Sequence, residues 1–559
     1  MRRLKSITIN NYKSIGEEEV KIDFPENQPV ILIGENNSGK TNIIRAIDIL
    51  FGETYPKYRS FEDHDFFARE RKKTIIIKAE VEGMRGRLGK NEEFTCSGFK
   101  LKTSKGNNED NDNEYCAIQL EDGKEINYVS NKLREEFFSI LIESRQSLAY
   151  QLSYASKYTL LSKVTKTFHS KLTSSEDRVN KLKKIYNQVL EIFDEVDEFK
   201  EFKQKMSSLT GELIHNMSYA LRLDFSAYDP SNYFKNIQVL PYENESPRSF
   251  EELGTGQQQI LMLSFAHAYA RCFKEESNLI LMFDEPETNL HPLAQRWLAK
   301  TLFNMSKEDG IQIVITTHSP NFINLEFLEG IYLVRKIEDA TRVINQNRES
   351  FAKYCTEKGA KKIKSDSVVP YYTKSATVNI IRGFFAKKIV LVEGPTEELA
   401  LPIYLEKEGF DILKEGIDII GVLGKGELAK WWRLFTAYKI PCYVCFDNDK
   451  GDDDKGEKRR DFLNAVGIQE NEQENILKTD KWIVNKQFCV FGINFEDALK
   501  NCFVKYKEIE ETVKAEFGNS KPIIAREVAK KLSNEYFNKD DKGWENIKRL
   551  IECLRELSI

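Results

Sequence analysis

Residues 34–41 read Gly-Glu-Asn-Asn-Ser-Gly-Lys-Thr, behind the apolar run Pro29-Val-Ile-Leu-Ile33. Ile43, Ile44, Ala46, Ile47 and Leu50 then recur at helical spacing. A short buried strand, a glycine-rich turn and a helix opening on Lys-Thr direct several backbone N–H groups at an anion. Glycines at 34 and 39 let the main chain approach phosphate oxygens. Lys40 supplies charge to the β and γ phosphates, and the Thr41 hydroxyl is a ligand for Mg2+. Asn36, Gly39, Lys40 and Thr41 are therefore candidate ATP contacts. The strand that feeds this turn predicts an α/β fold around a buried parallel sheet.

Two further segments belong with it. Leu279-Ile-Leu-Met-Phe-Asp-Glu285 is an apolar strand ending in two acids, followed by Pro286-Glu-Thr-Asn-Leu-His-Pro292. Asp284 is read as holding Mg2+ through water, and Glu285 as orienting or deprotonating the attacking water. Ile313–Thr317 runs into His318, at the strand end where open sheets bind ligands, and His318 is assigned as a γ-phosphate sensor.

A second set of acids lies far along the chain. Val390-Leu-Val-Glu-Gly-Pro-Thr-Glu397 puts one carboxylate at a strand end and another four residues on, in the first turn of a helix opening at Pro395. Asp447 and Asp449 close the apolar run 441–446 and, two apart, share a face. Four such carboxylates on one sheet edge repel unless cations hold them, and hard oxygen ligands select Mg2+ or Mn2+. Two such ions can activate water and stabilise the leaving oxygen of a phosphodiester. Asp452, Asp453 and Asp454 read as a solvated turn.

The 559 residues suffice for two or three domains, and a net charge of −5 does not mark a general nucleic-acid binder. No apolar run is long enough to span a bilayer, and no signal peptide is visible. Nine scattered cysteines predict reduced thiols and a cytoplasmic protein. Cys442 and Cys445 form a C-x-x-C, but inside a strand they point to opposite faces, against zinc. The polar stretch 103–114 predicts a hairpin tip or loop. Val179, Leu182, Ile185, Val189, Ile192, Val196 and Phe199 recur every three or four residues, an amphipathic helical pattern. The expected division is an ATPase N-lobe over 1–155, a helical insertion over 156–225 and an ATPase C-lobe over 226–375. A second α/β domain with a helical end follows over 376–559. A lysine-rich connector at 353–375 joins the halves.

Leu253-Gly-Thr-Gly-Gln-Gln-Gln259 resembles the signature motif of ABC-type ATPases. The order P-loop, helical insertion, signature, Asp-Glu, histidine resembles the SMC-like branch, as does Asn11-Tyr-Lys-Ser14. In that branch the signature meets ATP bound by a partner subunit. The resemblance thus implies a dimer in which Thr255 and Gly256 complete the partner's ATP site. The insertion suits a dimerisation hairpin, and Gln146 reads better as a solvated helix residue than as a Q-loop. Strand-Glu-Gly, then strand-Asp-x-Asp about fifty residues later, resembles the Toprim module, and Gly421–Gly426 resembles the glycine-lysine turn of its nuclease class.

An SMC/ABC-like ATPase followed by a Toprim module resembles the OLD (overcoming lysogenization defect) family of nucleases over nearly the whole chain. That resemblance implies that Glu393, Glu397, Asp447 and Asp449 are metal ligands. It offers Glu496 as a further ligand with Asp497 as its rival, and Lys521 as the basic catalytic residue that steadies the scissile phosphate. It also implies DNA as substrate, a homodimer or higher homo-oligomer, and a role in defence against phage. Such proteins act alone or with a helicase or a reverse transcriptase and its DNA product. Two alternatives are an SMC-like clamp ATPase without cleavage and a Toprim topoisomerase or primase.

Overall fold

A computed structural model of the chain describes residues 2–558 apart from 89–91, 106–110, 131–132, 135, 144–147, 154–158, 194, 203, 206–238, 244, 250–251, 273–277, 289, 362 and 449–455. Asp449, Gln146 and the acids at 452–454 thus lie outside the described residues.

Three sheets organise it. An antiparallel sheet runs β2 (Val20–Asp23), β1 (Arg3–Asn10), β4 (Ile75–Leu88), β5 (Glu92–Lys105), β6 (Asn111–Gln119), β7 (Glu125–Ile126). The second sheet runs β14 (Ala340–Asn345), β13 (Ile331–Ile337), β3 (Val30–Ile33), β12 (Gln312–Thr317), β11 (Asn278–Asp284), β8 (Phe137–Glu143), parallel except for β14. Between β8 and β11 in sequence, β9 (Tyr242–Glu243) and β10 (Ser246–Pro247) form a short ladder. The third sheet runs β16 (Ile417–Gly421), β15 (Lys388–Val392), β17 (Cys442–Phe446), β19 (Phe488–Val490), β18 (Ile483–Val484), parallel except for β18.

The continuous apolar runs follow from burial on both faces. Along β3, Ile31 and Ile33 enter one core while Val30 and Leu32 enter another, and β11 divides its residues the same way. In the third sheet, Leu391 and Val444 share the first of these cores, whereas Val392 and Tyr443 face a separate core built with the C-terminal helices. Cys442 and Cys445 fall in these two different cores, so the strand does separate them. No helix among the described residues is long and apolar enough to cross a membrane.

Two segments carry more structure than their composition suggests. Within 103–114, pairing continues through Thr103↔Asn113 and Lys105↔Asn111. Thr103 and Asn113 are buried because they bond to each other, and Asn113 also donates to the carbonyls of Lys57 (3.2 Å) and Arg59 (2.7 Å). Polar composition misleads where polar groups satisfy one another. The connector at 353–375 is helical and packed: the helices Arg348–Glu357 and Ser365–Thr373 bury Phe351, Cys355, Val368 and Tyr372 in the core between the halves. In the region of the amphipathic repeat, helices occupy Leu160–Thr173 and Glu176–Phe193. Ile185, Ile192 and Val196 are exposed there.

Candidate functional site

The turn after β3 takes the shape its glycines permit. Gly34 (φ 149°) and Gly39 (φ 110°) occupy backbone conformations that side chains disfavour. A Cβ on Gly39 would come within 2.2 Å of Thr341 Oγ1. The helix Lys40–Phe51 then opens, with Asn36 exposed at the tip of the turn. Lys40 is buried and donates from Nζ to the carbonyls of Gly34 (3.0 Å) and Glu35 (2.9 Å). Burial pushes its ammonium down to about 8, against the opposing charges of Glu285, Asp284 and Glu287.

Sheet order brings the other candidates to this turn, because β12 lies between β3 and β11. Thr41 Oγ1 donates to Asp284 Oδ1 at 3.1 Å, which joins the two residues expected around Mg2+. Thr316, at the end of β12, donates to the same oxygen at 2.5 Å and accepts the Glu285 N–H at 3.0 Å. That grip holds Glu285 at φ 51°, a left-handed geometry that a glutamate rarely adopts unaided. His318 Nε2 lies 3.5 Å from Glu285 Oε1, and its backbone N–H donates to Glu287 Oε1 at 2.5 Å. Burial, then Lys40, lowers the His318 pKa, which favours a neutral ring. Ser14 and Thr341 fasten the turn from behind: their hydroxyls are 2.7 Å apart, Thr341 donates to Ser38 O at 2.8 Å, and Asn42 donates to Ser14 Oγ at 2.7 Å. Thr316, Glu287 and Thr341 were missed in the sequence. A hydroxyl closing a buried strand beside the Asp-Glu strand was the available signal for Thr316.

The second set of acids forms at the third sheet. The chain leaves β15 towards β16 on one side and returns to β17 on the other, so β15 and β17 flank the crevice where such sheets bind ligands. Glu393 ends β15 and Asp447 ends β17. The Asp447 N–H donates to Glu393 Oε1 at 2.9 Å, and the Gly424 N–H donates to the Glu393 carbonyl at 2.8 Å. Helix Pro395–Lys407 begins where expected, and the Gly394 N–H donates to Glu397 Oε2 at 3.2 Å. Glu397 is buried. Burial, with the charges of Glu393 and Glu496, pushes its carboxyl up to about 7. Glu496 is thus near enough for its charge to bear on Glu397. Asp497 is instead engaged with Asn494, which donates to it at 2.8 Å and accepts its N–H at 2.8 Å. Glu398 does a different job, accepting from Arg382 (3.0 Å) and from the Gly421 N–H (3.2 Å).

The donor chemistry fits a hard divalent cation: the oxygens of Glu393, Glu397, Asp447 and Glu496 are the only ligand type in the group, and their mutual repulsion is what a cation relieves. Among the described residues, no three His, Cys, Asp or Glu side chains already stand in a metal-holding arrangement. Lys521 is exposed at the start of helix Lys521–Asn534. That helix packs on the one carrying Glu397, yet no hydrogen bond or ion pair among the described residues joins Lys521 to the acids. Thr255 and Gly256 open helix Thr255–Cys272, with Thr255 exposed and no bond to residues 34–41 among the described residues.

Residues 3–323 match the AAA ATPase domain family, and residues 384–449 match the TOPRIM domain of overcoming lysogenization defect protein-like proteins. An ATPase domain in front of a Toprim domain is the class defined here: the chain belongs to the AAA ATPase domain family, and the Toprim domain behind it is similar to that of overcoming lysogenization defect protein-like proteins. Among curated relatives, it is 25% identical over 462 residues to an OLD nuclease of Thermus scotoductus, covering 80% of this chain and 82% of that one. It is 22% identical over 576 residues to the endonuclease GajA of Bacillus cereus, covering 83% and 79%. The Old nuclease of Escherichia phage P2 is 25% identical over 240 residues, 41% of this chain and 39% of its own.

Proposed function

We propose that this chain is an ATP-binding, divalent-metal-dependent DNA endonuclease that nicks or cuts DNA in antiphage defence in the cytoplasm. The observation that carries this reading is the meeting of Glu393 and Asp447 at the ends of neighbouring parallel strands, beside a buried Glu397 whose charge is suppressed. Glu393, Glu397, Asp447, Asp449 and Glu496 would hold Mg2+ or Mn2+. Bound cations there supply an activated water and a counter-charge for the leaving oxygen. Lys521 is assigned to steady the scissile phosphate. It lies beyond hydrogen-bond reach of the acids, as suits a residue that meets substrate rather than metal.

In the ATP half, Asn36, Gly39, Lys40, Thr41 and Asp284 bind the nucleotide and its Mg2+. Glu285 orients water, and a neutral His318 reads the γ phosphate. Thr255 and Gly256 serve the ATP site of a second copy. The exposed apolar residues of 179–196 support a homodimer built through the helical insertion, with 1–155 and 226–375 as the ATPase lobes and 376–559 as the nuclease domain. The relatives' printed names, nuclease and endonuclease, support the nuclease reading. A helicase or a reverse transcriptase is the partner class proposed for the assembly.

The test incubates purified protein with supercoiled plasmid, with and without Mn2+ and ATP. Glu393→Ala is expected to lose at least about a hundredfold of the metal-dependent cutting while keeping ATP binding. Lys40→Ala should lose nucleotide binding and change only the nucleotide response. Cutting that persists undiminished in Glu393→Ala rules this reading out.

A further inference from the structure

One arginine touches both halves at their most informative points. β13 runs parallel to β3 with Leu333 opposite Ile33. The two chains stay so close beyond that point that a Cβ on Gly34 would come within 2.0 Å of the Val334 carbonyl oxygen. The next residue on each chain is Arg335 and Glu35. Glu35 is the charge that supports the Arg335 cation against its burial. The Glu35 carbonyl in turn accepts from Lys40 Nζ at 2.9 Å. Arg335 is therefore one step removed from the lysine expected to meet phosphate.

Its guanidinium points the other way, into the third sheet. Nη2 donates to the Ala386 carbonyl at 3.2 Å, and Nη1 donates to the Lys439 carbonyl at 3.2 Å. Ala386 stands just before β15 and Lys439 just before β17, the strands that end at Glu393 and Asp447. One planar fork thus sets the entry points of both acid-bearing strands relative to each other. Strands of five residues in a packed sheet move as units, so a shift at their starts reaches their ends. Other bonds cross between the halves, such as Gln346 Nε2 to the Ala437 carbonyl (2.9 Å) and Tyr354 to Thr436 (3.0 Å), but neither residue adjoins the phosphate turn.

We propose that Arg335 is a positioning residue that transmits nucleotide occupancy at residues 34–41 to the spacing of Glu393 and Asp447. A phosphate in the turn draws the Lys40 ammonium away from the carbonyls of Gly34 and Glu35. Those residues resettle against Val334 and Arg335, and the fork carries the adjustment to Ala386 and Lys439. This rests on reading 34–41 as a nucleotide site. It does not require that the chain cut DNA.

The test is hydrogen exchange on the full-length chain with and without Mg2+ and a non-hydrolysable ATP analogue. In the unsubstituted protein, amides of 388–394 and 442–447 are expected to change exchange rate by about threefold or more with nucleotide. Arg335→Lys keeps the charge but cannot fork between two carbonyls, and Arg335→Gln removes the charge. Both are expected to keep the nucleotide response at 34–45 and to lose it at 388–394 and 442–447. The proposal is overturned if Arg335→Lys transmits as fully as arginine, or if the unsubstituted protein shows no response at those strands. It is also overturned if both variants lose the response at 34–45, which makes Arg335 a structural strut. Plasmid cleavage run in parallel separates the readings: an inactive unsubstituted protein defeats the nuclease assignment and leaves the exchange result standing.

Discussion

Glu397 sits in an environment that opposes its own charge. It is buried beside Glu393 and Glu496, and its carboxyl is raised from 4.5 to about 7. The linkage sign follows. An acid with a raised folded-state pKa contributes stability that is fully present below pH 4.5 and is lost as pH climbs through about 7, a few kcal/mol at most. Metal-free protein should therefore lose stability between pH 5 and 7.5. Glu397→Gln should flatten that slope, and Mn2+ should restore stability at pH 7.5 only to the native chain. Melting curves across that range in chelator and in Mn2+ check it, and an unchanged slope in Glu397→Gln contradicts it. The pair at 496–497 separates by the same physics. Glu496→Gln should weaken Mn2+ binding about tenfold with little change in melting. Asp497→Ala should cost about 1 kcal/mol through the lost link to Asn494 and leave Mn2+ affinity alone. Titration calorimetry beside thermal melts distinguishes them. Glu393 and Asp447 were legible because each directly follows an apolar strand, and Glu397 because it opens the helix behind Glu393, whereas Glu496 was offered only by the family resemblance. Glu496 was already favoured over Asp497, and the bonds between Asn494 and Asp497 are the physical argument that the structure adds for it.

At the scale of the element, the phosphate turn is held from both sides. Gly39 lies at φ 110°, with Thr341 and Ser14 hydroxyls where a side chain would go. Gly39→Ala should reduce nucleotide affinity by at least about tenfold and destabilise the ATPase half by about 1–3 kcal/mol, read by nucleotide titration and denaturant unfolding. Normal binding by that variant would show the turn to be looser than its contacts imply. Strands with unbroken apolar runs were legible because burial on both faces leaves a local mark. The strand ends flanking 106–110 were not, since Thr103 and Asn113 hide a buried pair inside a polar composition. The helices at 348–373 were not either: their lysines face out, and the aromatic residues between them are invisible to an average over the segment.

The whole molecule carries a consequence that no single element does. Ile185 and Ile192 are exposed on helix Glu176–Phe193, and Val196 is exposed just beyond it. A second copy of the chain is the proposed cover. Ile185→Glu with Ile192→Glu should convert a dimer to a monomer in light scattering while preserving the far-UV spectrum, and ATP turnover should fall with the composite site. A double variant that remains dimeric would move the interface elsewhere. At this scale the two-domain division could be read in advance, because the P-loop and the strand-Glu-Gly segment each announce a separate sheet.

The amino-acid order by itself determined which chemistry the chain carries: a glycine turn opening on Lys-Thr, an Asp-Glu strand end, and carboxylates closing two later strands. Those patterns are local, written by residues within one turn or one strand of each other. Tertiary structure alone decided which of them meet. It set Thr316 against Asp284, brought the Asp447 N–H to Glu393 across 54 positions, and laid one arginine between the phosphate turn and both acid-bearing strands. The physical reason is that strand order in a sheet is chosen by the packing of both its faces at once, and no single segment encodes that sum.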